Sequence, residues 1–214
     1  MDQVPHVLFE NNLYLIVGKP AGWLSIPARV EAPGDLVLSH WLRDKIKDSH
    51  HEIRVIHRLD RFTSGVMLFA KSLDGQREAT QWFEKRIVKK TYQFLASPIP
   101  TRPAIRMNTP VDKKTAQTLF EVLEKGKEAF FGKATPLTGR FHQIREHAKA
   151  AGFPLLGDKA YGGKMNFDES GALESDVLIP RVCLHAASLE LPFGVFEMPM
   201  PEDLSALWSK LKYV

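Results

Sequence analysis

Cysteine is nearly absent from this chain. Cys183 is the one thiol in 214 residues, so no internal disulfide can form and no cysteine-cluster metal site can exist. A lone thiol suits a reducing compartment, and a cytoplasmic location is expected. No apolar run approaches the ~20 residues of a membrane helix, so no membrane association is expected. Met1 to Phe9 has neither a basic n-region nor a long apolar h-region, and no signal peptide is expected. There is no G-x-S-x-G elbow, no P-loop and no H-E-x-x-H, and Gly18, Gly22 and Gly34 do not form a dinucleotide fingerprint. Repeats, low-complexity tracts and a sharp linker are also missing, so one domain over residues 1–214 is expected, with monomer as the default state.

What is present is ordinary for a folded protein: 44% hydrophobic and 25% charged residues, enough for a sizeable core. The net charge of +4 permits a polyanionic partner such as nucleic acid. Hydrophobic patterning predicts strands at Leu13–Val17, Gly65–Ala70, Ile87–Ala96, Thr115–Leu123, Glu128–Thr135 and Arg181–Leu191. It predicts helices at Leu36 to about Lys47, capped by Asp35, and at Ser72 to about Arg86. Two more are expected, one at about His142–Ala151 and one starting with Pro201 at its first helical position, the latter with Leu204, Leu207, Trp208 and Leu211 on one apolar stripe. Ser49-His50-His51 breaks the first helix. Phe141, Ile144, Ala148 and Ala151 are assigned to a core face. Pro98–Pro110 reads as a long connection and Asn166–Pro180 as a flexible surface loop. Strands joined by turns indicate an α+β fold with a central, largely antiparallel mixed sheet flanked by helices.

Two polar clusters stand out. The first is His57–Lys71, H-R-L-D-R-F-T-S-G-V-M-L-F-A-K, where Asp60 sits on a turn between Arg58 and Arg61 at the mouth of a core strand. Taken alone it reads first as a surface Asp–Arg pair on a connecting loop. The second is Gly139–Gly162, with Arg140, His142, Arg145, His147, Lys149 and Asp158. Metal ligation, a solvated helix face and an anion site compete there. The i, i+5 histidine spacing argues against a metal, while Arg140, Arg145 and Lys149 near a helix start suit phosphate or a carboxylate. Basic residues interleaved with Phe141 and Tyr161 suit RNA.

Set in order, these stretches resemble the RluA family of RNA pseudouridine synthases. Lys19-Pro20-Ala21-Gly22 resembles the family's K-P-x-G, and His57–Lys71 matches H-R-L-D-x-x-T-S-G-x-x-x-x-A-K. Lys90-Thr91-Tyr92 matches K-x-Y. Gly139–His147 matches G-R-x-H-Q-I-R-x-H, followed by G-D-x-x-Y-G at Gly157–Gly162 and L-H-A at Leu184–Ala186. The resemblance implies the pseudouridine synthase fold and an isomerase acting on structured transfer RNA and/or ribosomal RNA. It implies no cofactor and no metal. Only 18 residues precede Lys19, so the small N-terminal RNA-binding domain of many relatives is expected to be absent. Asp60 is implied as the essential carboxylate, by attack on the base, attack on the sugar or removal of a sugar proton. Arg145 is implied as the arginine that pairs with it, and Tyr92 as the tyrosine stacking on the target base. Arg58, Arg140, His142 and Leu184 are implied in substrate binding, Arg58 by filling the space the flipped base vacates and Leu184 by lining the uracil pocket. The competing readings are an RNA-binding or chaperone protein without catalysis and a metal-dependent hydrolase.

Overall fold

The computed structural model describes residues 4–30, 32–46, 52–167 and 177–213. In chain order the elements are β1 (His6–Glu10), β2 (Tyr14–Lys19), α1 (Leu38–Lys45), β3 (Arg54–Val55), β4 (Ser64–Ala70), α2 (Leu73–Glu84), β5 (Lys89–Ala96) and β6 (Ala104–Met107). There follow β7 (Thr118–Lys125), β8 (Phe130–Pro136), α3 (Gln143–Ala150), β9 (Asn166–Phe167), β10 (Val177–Leu178), β11 (Leu184–Leu191), β12 (Gly194–Glu197) and α4 (Glu202–Leu211). This is the α+β composition expected. The chain divides into two compact units, Met1–Lys89 with Ser188–Met198, and Lys90–Ala187 with Pro199–Val214.

In the first unit β2 lies between β1 and β4, antiparallel to both, and β3 also pairs antiparallel with β4. All seven residues of β4 are buried, which is why its sequence is a continuous apolar run rather than an alternation. α2 starts where expected, with the Ser72 hydroxyl accepting from the Gly75 N–H at 3.0 Å. Ala79 is fully buried, and Trp82 and Phe83 pack on the cluster of Tyr14, Ile16, Val66 and Leu68. Asp35 does not cap α1. Its carboxylate takes the Arg61 guanidinium at 3.0 Å and the Ala32 N–H at 2.9 Å, and the cap position falls to Val37. A tertiary ion pair has displaced the local capping bond. Ser49-His50-His51 lies outside the described residues.

The second unit is built on the antiparallel order β5-β8-β7-β6. A tight turn through Lys125-Gly126-Lys127 joins β7 to β8, with the Gly126 N–H on the Ala129 carbonyl at 2.9 Å. β6 lies inside the stretch read as a long connection. Phe94, Phe120, Phe130 and Phe153 interlock edge to face at 5.3–5.6 Å. Ile144 and Ala148 of α3 pack into this cluster. Phe141 does not, being 70% exposed. α4 buries Leu204, Leu207, Trp208 and Leu211, the predicted stripe, although Pro201 is its cap residue and not its first helical one. Asn166–Pro180 is not a plain surface loop: β9 pairs with β10, and Phe167, Val177 and Ile179 are buried. Its residues 168–176 lie outside the described set.

Candidate active site

Asp60 belongs to the first unit, on the loop between β3 and β4. The loop turns on the Thr63 N–H bonded to the Asp60 carbonyl at 3.0 Å. Both neighbours of Asp60 are fixed. Ser25 Oγ donates to the Leu59 carbonyl at 2.8 Å and accepts the Leu59 N–H at 3.1 Å. The Arg61 carbonyl accepts the Gly22 N–H at 2.9 Å and the Lys19 ammonium at 3.1 Å. Lys19 is fully buried and also donates to the carbonyls of Pro20 at 3.0 Å and Trp23 at 2.7 Å. The K-P-A-G turn is therefore the brace of the Asp60 loop. His57 adds a second support, its Nε2 accepting the Leu68 N–H of β4 at 3.0 Å while its ring stacks on Phe83. Asp60 is left partly exposed and Arg58 exposed. Arg61, the arginine next to Asp60, commits its guanidinium to Asp35 and, through Nε, to the Gly22 carbonyl at 3.1 Å.

Lys19→Met is expected to lower folding stability by about 2–4 kcal/mol, because carbonyls held by a buried ammonium lose a charge-assisted donor. Urea unfolding checks this, and a wild-type midpoint would remove Lys19 as the brace.

The remaining candidates lie in the second unit. α3 is entered through His142, whose backbone is left-handed at φ 52°, ψ 19°. Such a conformation costs a non-glycine residue about 1–2 kcal/mol. Buried Gln143 holds the entry. Its Oε1 accepts from the Thr138 hydroxyl and the Arg140 N–H, and its Nε2 donates to the Gln117 carbonyl and Thr118 Oγ1. His147, fully buried, bonds Thr118 Oγ1 and the Thr109 carbonyl through its two ring nitrogens.

Arg145 is 9% exposed and forms a two-pronged ion pair with Asp158: Nε to Oδ2 at 2.7 Å and Nη2 to Oδ1 at 2.8 Å. Asp158 is wholly buried. Of the three cations proposed for an anion site, Arg140 and Lys149 are exposed, whereas Arg145 is locked to this carboxylate. The sequence offers Asp158 as a ligand-type residue and within the G-D-x-x-Y-G motif, but nothing in the spacing names Arg145 as its partner. Gly157 has to be glycine, since a Cβ there would lie 1.9 Å from the Arg181 carbonyl oxygen.

A guanidinium only donates, so His142 Nε2, 2.7 Å from Arg145 Nη1, is the acceptor. The ring proton then sits on Nδ1 and donates to Tyr161 Oη at 3.1 Å, and Tyr161 donates onward to Glu146 Oε1 at 3.3 Å. Burial, then Glu146, pushes the Tyr161 phenol pKa up and keeps it a donor. With both nitrogens of His142 and of His147 so engaged, neither ring is presented as a metal ligand.

Tyr92 of β5 is half-buried and packs on the cluster that contains Leu184, which is itself 4% exposed. Lys90, of the same K-x-Y, has its ammonium close to Gly139, where an added Cβ would meet Nζ at 3.3 Å; burial lowers its pKa. Arg140, exposed, donates through Nε to the Thr115 carbonyl at 3.1 Å. Thus Asp60 and Arg58 lie in one unit, and Tyr92, Arg140, His142, Arg145 and Leu184 in the other.

The fold is that of the pseudouridylate synthases. Human RNA Pseudouridylate Synthase Domain Containing 4 aligns with a TM-score of 0.76 at 21% identity, covering 96% of this chain and 92% of its own. Human RNA Pseudouridylate Synthase Domain Containing 1 aligns with a TM-score of 0.70 at 25% identity, covering 95% and 87%. The family model for RNA pseudouridylate synthase matches residues 13–150. The dual-specificity RNA pseudouridine synthase RluA of Escherichia coli K12 is 32% identical over 86% of this chain and 85% of its own length. That of Haemophilus influenzae is 33% identical with the same coverage, 86% and 85%. Ribosomal large subunit pseudouridine synthase D of Nitrosomonas europaea is 31% identical over 96% of this chain, which spans 65% of that relative. The chain belongs to the RluA family of RNA pseudouridine synthases, and its activity is the isomerisation of uridine in RNA to pseudouridine.

Proposed function

We propose that Asp60 is the carboxylate that carries this isomerisation, with Tyr92 stacking on the target base and Arg145 orienting the aspartate. One observation supports this most: a partly exposed carboxylate held between two backbone neighbours that are each bonded to the Lys19–Ser25 segment. The reaction breaks the bond from uracil N1 to the sugar and forms one from C5, so the C5 hydrogen leaves as a proton. All three roles open to Asp60 need it ionised. Leu184 is proposed to line the uracil pocket and Arg58 to occupy the space left by the flipped nucleotide. Arg140 and His142 complete the substrate-binding set.

The RNA is proposed to be structured transfer RNA, ribosomal RNA or both. The names of the relatives support this range, and the +4 charge is compatible with it. A monomer working in the cytoplasm is part of the same proposal; among the described residues no helix is long and apolar enough to cross a membrane. Pseudouridine mapping of total RNA from a deletion strain tests the substrate. Loss of one or more pseudouridines in either RNA class is expected, and an unchanged map in both would reject it.

A further inference from the structure

Phe141 is 70% exposed although it is one of the chain's larger apolar side chains, and it stands directly before α3. Its ring lies on the His142 imidazole, centroids 3.7 Å apart and planes 20° from parallel. That imidazole cannot swing away, because Arg145 holds one nitrogen and Tyr161 the other. Arg145 is in turn fixed by buried Asp158. The left-handed backbone of His142 directs residue 141 off the helix, so Phe141 escapes the core face that periodicity assigns to it. The result is a flat aromatic surface on a rigid base. Arg140 precedes it, exposed and tethered at Nε to the Thr115 carbonyl.

A pre-positioned ring beside a guanidinium is the arrangement that binds an unpaired nucleotide, with the ring taking the base and the cation the phosphate. We propose that Phe141, stacked on His142, is a platform for an unpaired base of the substrate RNA other than the target uridine. This rests on the activity assigned above. The platform reads the π-face of a base and not its edge, so it adds affinity and demands an unpaired nucleotide without selecting among the four bases.

The test is single-turnover tritium release from transfer RNA and ribosomal RNA transcripts carrying 5-tritiated uridine, with protein in excess and the dependence on protein concentration measured for each variant. Phe141→Ala is expected to raise the half-saturating concentration about 10-fold. The loss should fall more on that concentration than on the rate at saturation. Phe141→Trp should stay within about threefold of wild type and show indole emission quenched by RNA. Phe141→Leu, apolar but not aromatic, should resemble Phe141→Ala. Urea midpoints should stay near wild type in all three, since the side chain is exposed. Wild-type affinity in Phe141→Ala or in Phe141→Leu would overturn the platform, as would a large stability loss in Phe141→Ala. Filter binding of the same transcripts reads the platform separately, so a wild type that binds RNA but releases no tritium would count against the activity and not against Phe141.

Discussion

Asp60→Asn is expected to release no measurable tritium from uridine-labelled RNA, with a rate lowered by more than about 10³-fold, and still to bind that RNA. The amide is close in shape to the carboxylate, and the loop that carries it is held by main-chain bonds that the substitution leaves alone: Ser25 on Leu59, and Lys19 with Gly22 on Arg61. Folding should therefore be little changed, and the loss belongs to the chemistry. Whether Asp60 acts as nucleophile or base, the neutral amide can do neither. Retained turnover in Asp60→Asn would remove Asp60 from the catalytic role. Loss of RNA binding in a folded variant would make the residue a binding group instead.

Asp158→Asn is expected to lower folding stability by about 3–5 kcal/mol. The Asp158 side chain is 0% exposed and that of Arg145 is 11% exposed, so the guanidinium left behind keeps its charge with little water to solvate it. The damage should spread, because Arg145 also donates to His142 and lies 4.9 Å over the Tyr161 ring. Replacing both partners by apolar residues, Arg145→Met with Asp158→Leu, should recover part of the stability, since no buried charge is then stranded. It should not recover turnover, because the arginine proposed to orient Asp60 is gone. Urea unfolding and tritium release on the three proteins separate the two roles. A wild-type unfolding midpoint for Asp158→Asn would mean that the pair does not contribute to folding stability.

The long elements were readable from patterning because their patterns are strong. β4 is apolar throughout, α2 opens on a capping serine, and α4 repeats leucines and a tryptophan on one face. β1 and β12, five and four residues, escaped it: their burial alternates weakly and their exposed positions include Val7 and Val195. β6 was hidden by the prolines around it. At the site the motifs located the polar residues but not their pairings. Asp35 has a side chain suited to capping, and only tertiary structure could show Arg61 drawing it away. Phe141 has the spacing of a core residue, but the spacing holds only if the helix begins before it, and the left-handed His142 forbids that. Asp158 is thirteen positions from Arg145, on the turn before a short 3₁₀ segment, a separation that no helical or strand period predicts.

The most direct measurement takes RNA labelled with 5-tritiated uridine, incubates it with the wild-type protein, and compares the tritium released with the pseudouridine found by nucleoside chromatography of the same sample. The two should rise together, one pseudouridine for each tritium, with neither appearing in the Asp60→Asn reaction. Tritium release without pseudouridine, or pseudouridine formed equally by Asp60→Asn, would contradict an isomerisation carried by the Asp60 carboxylate.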